Sequence, residues 1–65
     1  MFTESDLNLI HTLAYQCVHN DLMITTANEI MEGYTLTTGG KKKAEKMLNA
    51  LYDAIIVENT IDDDE

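Results

Sequence analysis

His11, Tyr15 and His19 recur at four-residue steps, so any helix that contains them carries all three along one side. Imidazoles in a line invite a metal reading, but eight residues of helix rise about 12 Å, too far for two histidines to share one ion without ligands from elsewhere. No metal is therefore expected. A strip of histidine and tyrosine suits a contact surface better, because each side chain offers an apolar body with a polar tip. Glu29 and Glu32 stand one helical turn apart, and Asp53 can approach them from a later helix, which makes a carboxylate pair for acid–base chemistry conceivable. That chemistry needs a pocket able to shift a pKa, and a chain of 65 residues seldom encloses one. Ser5 falls in the first turn of the first helix and Cys17 on its apolar stripe, neither with a histidine and an acid at readable spacing. The expectation is no catalytic residue, no cofactor and no enzyme. Glu29, Glu32, Asp53 and Glu58, with His11, Tyr15 and His19, are instead the candidate partner-binding groups.

All four positive charges lie within six residues, Lys41, Lys42, Lys43 and Lys46, directly after Gly39 and Gly40. With Glu45 they make a corner of net +3, which leaves −11 on the rest of a chain whose net charge is −8. Lysines in the first turn of a helix oppose the positive end of its dipole and repel one another, at a cost of about a few tenths of a kcal/mol each. An anion held by the free amides of that turn would remove the conflict, and the glycine pair would let backbone approach it closely. Thr38, Gly39, Gly40, Lys41, Lys42 and Lys43 are the residues of such a site. It is not a Walker A loop, since Gly33 is too far from Gly40 and Lys41 is followed by another lysine. The plainer reading, exposed lysines that confer solubility or pair loosely with Glu45 and the acidic C-terminal residues, is the more common outcome for such a corner.

Three helical patterns must position these groups. Thr3 can cap the first, Asp6 can reach back to the capping amide, and Phe2 can pack on Leu7. Leu7, Ile10, Leu13, Ala14, Cys17 and Val18 then form one apolar stripe from about residue 4 to 19. Asn20 suits a left-handed C-terminal position and Asp21 an N-cap, so a second helix is expected over about 22 to 32, with Met23, Ala27, Ile30 and Met31 inward and Gly33 as its stop. Thr26 and Glu29 offer a competing capping box for it. Residues 34 to 40, threonine-rich and ending in two glycines, read as a loop. The third helix is expected over about 41 to 58 with Ala44, Met47, Leu48, Leu51, Ala54 and Ile55 on one face, and residues 59 to 65 as a solvated acidic tail.

The fold expected is therefore all-α, a helical hairpin or three-helix small domain over residues 1 to 58. So short a chain buries only about 60% of its unfolded surface alone. Cys17 is the only cysteine and no disulfide can form within the chain, so dimerisation into a helical bundle is the expected supplement. The N-terminal residues carry no basic patch followed by an apolar run, and the longest uncharged stretch, 7 to 20, is broken by polar groups. These features suggest a soluble, cytoplasmic protein with no membrane partner. Twelve carboxylates against four lysines argue against direct binding of duplex DNA and for a partner with a basic surface. The leading functional expectation is a small acidic interaction protein that binds and modulates or inhibits such a partner, for instance a nucleic-acid-handling protein with a basic groove. The alternative is an anion or nucleotide binder at the glycine–lysine corner, with Tyr34 stacking on a base.

Overall fold

The computed structural model describes the backbone of residues 1–63 and the side chains of residues 1–60. Among these it is all-α, with helices α1 (Glu4–His19), α2 (Ile24–Thr38) and α3 (Gly40–Asp63). The first helix starts as its sequence predicts: the Asp6 amide donates to Thr3 Oγ1 at 3.1 Å and the Thr3 amide to Asp6 Oδ2 at 2.9 Å, closing a capping box. At its other end Asn20 and Leu22 amides both donate to the Gln16 carbonyl. The left-handed residue of this turn is Asp21, with φ of 60°, not Asn20. Asp tolerates that region through its short polar side chain, and occupying it removes Asp21 from the N-cap role expected of it. The second helix starts instead at Ile24, capped by Met23 without any side-chain hydrogen bond, and Thr26 and Glu29 lie inside it rather than forming a box.

The expected stop at Gly33 is also corrected, since α2 runs on through the threonine-rich segment to Thr38. The reason lies in the hydroxyls. Thr35 donates to the Met31 and Glu32 carbonyls, Thr37 to Gly33 and Tyr34, and Thr38 to Tyr34 at 2.6 Å, so each threonine folds its polar group onto the preceding turn. Ala27, Met31 and Thr35 then form one fully buried line at four-residue steps. Met23 and Ile30, expected to face inward, are 68% and 45% exposed. Gly39 alone separates α2 from α3, and Gly40 takes φ of 86°, a region that favours glycine. A Cβ on Gly39 would collide with the Lys43 side chain. The last helix likewise exceeds its expected end at 58 and absorbs residues 59 to 63 of the expected tail. Residues 64 and 65 of that tail lie outside the described residues.

Cross-helix pairs give the topology. Asp6 meets Lys43 and His19 meets Glu58, so α1 and α3 run parallel. Asn28 meets Tyr52 while the α2–α3 turn brings their other ends together, so α2 runs antiparallel between them in sequence. Helix α3 is the central element, packing on both others, and α1 and α2 touch one another much less. Ile10, Leu13, Ala14, Ala27, Met31, Met47, Leu51 and Ile55 form the core, closed within a single chain. Among the described residues no helix is long and apolar enough to cross a membrane.

Candidate functional site

At the end of the molecule where α1 and α3 both begin, Asp6 is fully buried. Its Oδ2 accepts from the Lys43 ammonium at 2.7 Å as well as from the Thr3 amide. Lys43 first, and the Thr3 amide second, hold this carboxyl well below the usual carboxylate range, against the opposing effect of burial. The Tyr34 hydroxyl acts on the same carboxylate, and its own pKa is raised by that charge and by burial, with Lys43 working in the opposite direction. Asp6 Oδ1 is buried without a hydrogen-bond partner. The lysine-rich first turn of α3 thus receives an anion, and the anion belongs to the chain itself. Asp6 is consequently removed from the surface field of carboxylates in which its sequence alone would count it.

This geometry also redistributes the residues of the expected anion site. Thr38 Oγ1 donates to Tyr34, the Gly39 amide donates to the Thr35 carbonyl at 2.7 Å, and Lys43 serves Asp6. Gly40, Lys41 and Lys42 remain, the two lysines exposed. Lys42, Lys43 and Lys46 border a shallow cleft of about 230 Å³ with Met1, Phe2 and Gly39. Tyr34 is half-buried against the core, with its hydroxyl acting on Asp6.

At the opposite end, the polar line of α1 lies on the surface as expected, and α3 adds a carboxylate to it. His11, Thr12, Tyr15, Gln16, Asn20 and Glu58 line an open cleft of about 430 Å³. Tyr15 and His19 stack with ring centroids 4.3 Å apart, and His19 Nε2 donates to Glu58 Oε1 at 3.2 Å. A carboxylate only accepts, so this contact fixes the ring nitrogen that carries a proton. Glu58, 39 residues along the chain from His19, is therefore brought to the line of His11, Tyr15 and His19. Glu29, Glu32 and Asp53 are not part of that cleft and stand exposed on α2 and α3. Cys17 is half-buried, and burial raises its thiol pKa. Among the described residues no group of three or more His, Cys, Asp or Glu is placed to hold a metal ion.

Sequence reasoning missed the cluster of buried Asp6 with half-buried Lys43 and Tyr34. A usable signal existed: the capping carboxylate sits on the apolar side of α1, four residues before Ile10, where burial requires a cation. Comparison with protein-family models, with curated proteins and with solved structures finds no match.

Proposed function

We propose that this is a small acidic, non-catalytic interaction protein that binds and modulates or inhibits a macromolecular partner carrying a basic surface. The observation that carries the reading is the segregation of charge along the 38 Å axis. The lysines cluster where α3 begins, and one of them is neutralised internally by Asp6. Glu4 and Glu45 stand exposed at that end too, but most carboxylates occupy the middle and the far end, with Glu29, Glu32 and Asp53 exposed, Asp21 in the α1–α2 turn, and Glu58 in the cleft. Beside them Met23, Ile24, Ile56 and Val57 expose apolar surface, which gives a partner both charge and contact area to grip. A protein that handles nucleic acid through a basic groove has that complementary chemistry.

Dimerisation into a bundle is the supplement expected for a core as thin as a chain this short can build. The core from Ile10 to Ile55 closes within one chain, while Met23, Ile24, Ile30, Ile56 and Val57 stay exposed. Of the apolar groups still exposed, Met23, Ile24, Ile56 and Val57 lie among carboxylates, where a second copy of charge −8 is repelled and a cationic partner attracted, whereas Met1 lines the lysine cleft. The anion-binding alternative is disfavoured by the internal use of Thr38, the Gly39 amide and Lys43.

The test compares two charge variants in capture from host lysate with identification of the bound protein. Neutralising Asp21, Glu29, Glu32 and Glu58 to their amides is expected to lower capture of a basic protein and flatten its salt dependence. Lys42→Gln with Lys46→Gln is expected to leave both unchanged. Capture that follows the lysines, or delivers nucleotide or nucleic acid in place of a basic protein, overturns the reading.

A further inference from the structure

We infer that the seam between α2 and α3, centred on the Asn28–Tyr52 hydrogen bond, is a groove for a cationic amphipathic helix of the partner. This rests on the interaction reading above and names where the partner binds and with what chemistry.

The seam is located by its register. Asn28 Nδ2 donates to Tyr52 Oη at 2.7 Å across the antiparallel pair. One turn back along α2 is Ile24 and one turn forward along α3 is Ile56, so these two stand side by side, with Met23 beyond Ile24. They are 45%, 61% and 68% exposed, and Tyr52 is 42% exposed. A contiguous row of half-open apolar side chains on a small chain marks a binding surface more often than scattered single ones do. Its placement on α3 is also informative. Lys43 faces α1, and Tyr52 follows nine residues later, two and a half turns on, so the seam opens on the side of α3 turned away from α1. That side of the α2–α3 pair has no helix of this chain over it among the described residues.

Charge selects the occupant. Asp53 adjoins Tyr52, Glu32 lies one turn beyond Asn28, Glu45 lies two turns before Tyr52 on the same line of α3, and Asp21 stands before Ile24; all four are exposed. Lys41, at the far end of the line, is the cation among them. An apolar row bordered by carboxylates is the complement of a helix with leucine-like residues at i, i+3, i+4 and i+7 and lysine or arginine along its flanks. The chain demonstrates the same mode internally: α1 lays Ile10, Leu13, Ala14 and Cys17 onto the other helices and anchors one end by an acid–lysine pair. A partner helix in the seam would mirror α1 across α3 with the signs of the anchoring charges exchanged.

The probe is a designed leucine–lysine peptide of about 18 residues, long enough to be helical when bound. Two controls accompany it, the same composition scrambled so that leucine forms no face, and the same pattern with glutamate for lysine. Calorimetry and amide chemical shifts are recorded on the full chain. The patterned cationic peptide is expected to shift Ile24, Asn28, Glu32, Tyr52 and Ile56, with both controls weaker by about tenfold or more. Ile24→Ser with Ile56→Ser, both surface positions whose folding is checked by circular dichroism, should weaken it by a similar factor. Equal binding of the scrambled peptide, or shifts centred on His11 and Tyr15, overturns the inference. So does a dimer of the free chain in sedimentation equilibrium that the double serine variant returns to monomer, since a second copy would then own the seam. If the serine variant still captures the native basic partner while the carboxylate-neutralised variant loses it, the groove is wrong and the interaction reading stands. If neither variant changes capture, the interaction reading itself fails.

Discussion

Lys43 and Asp6 stand 2.7 Å apart at one end of the α1–α3 interface with the carboxylate fully buried, whereas at the other end His19 and Glu58 stand 3.2 Å apart with more than a quarter of each side chain in solvent. The two contacts lie 13 positions apart on α1 and 15 apart on α3, so together they set the parallel register of these helices. Their settings give them different work. The buried pair carries a desolvation cost that only its partner charges offset, so it tolerates no loss of either member. The exposed pair is screened by water on both sides and contributes little to folding, which leaves its groups able to meet something else. One end of the interface is closed off from water, and the other is solvated.

The sharpest way to break this contrast is to delete one cation at each end of the scale of burial. Lys43→Met strands the Asp6 charge inside the protein and is expected to give the largest fall in melting temperature of any single charge removal, while Lys42→Met, on the exposed side of the same turn, leaves it within error. Adding Asp6→Asn to Lys43→Met should recover part of the loss, a coupling that thermal melts of the four proteins measure. Equal effects of the two lysine substitutions would mean that the buried pair is not special.

The same carboxylate makes acid stability the next largest effect. The folded pKa of Asp6 lies below its ordinary value of 3.8, so the unfolded chain binds the proton first as pH falls. The stabilisation is thus fully present well above 3.8 and is lost progressively from about that pH downward, through the lower folded value. Denaturant melts of wild type and Asp6→Asn between neutral pH and strong acid should converge as pH drops. Parallel curves across that range would show that another carboxylate controls acid unfolding.

Between the two ends lies the part of the chain that the sequence described least well. The first helix was legible because Thr3, Asp6 and the stripe of Ile10, Leu13 and Ala14 agree with one another. The second was not, because its inward line continues from Ala27 and Met31 through Thr35, a polar residue buried by bonding its own backbone, and a search for apolar period ends before it. Gly33 misled for a related reason: glycine usually ends a helix, but here it occupies an outward helical position where an added methyl would meet nothing within 4 Å. Gly33→Ala is therefore expected to stabilise the protein by about 0.5–1 kcal/mol, in contrast to Gly40→Ala, which places a side chain at φ of 86° and should destabilise it. Thermal melts of the two variants check the opposite signs. As for the candidate site, the line of His11, Tyr15 and His19 was readable from spacing alone. The arrival of Glu58 beside it depends on the parallel packing of α1 and α3, anchored by a buried pair whose acid the sequence marks but whose lysine it does not single out.

The smallest effect belongs to the open end, and it separates folding from binding most cleanly. Glu58→Gln keeps the size of the side chain and its capacity to accept from His19 while removing one charge from the cleft. Because both partners are more than a quarter exposed, the loss of stability should be at most about 0.5 kcal/mol, near the resolution of a denaturant melt. Lys43→Met should be costly under the same conditions, so the ratio of the two shifts reads directly how far burial sets the strength of an α1–α3 contact. If Glu58→Gln instead destabilised the fold as strongly as Lys43→Met, the cleft would be a structural joint like the buried end, and the proposed partner-binding role of His11 and Tyr15 beside it would lose its support.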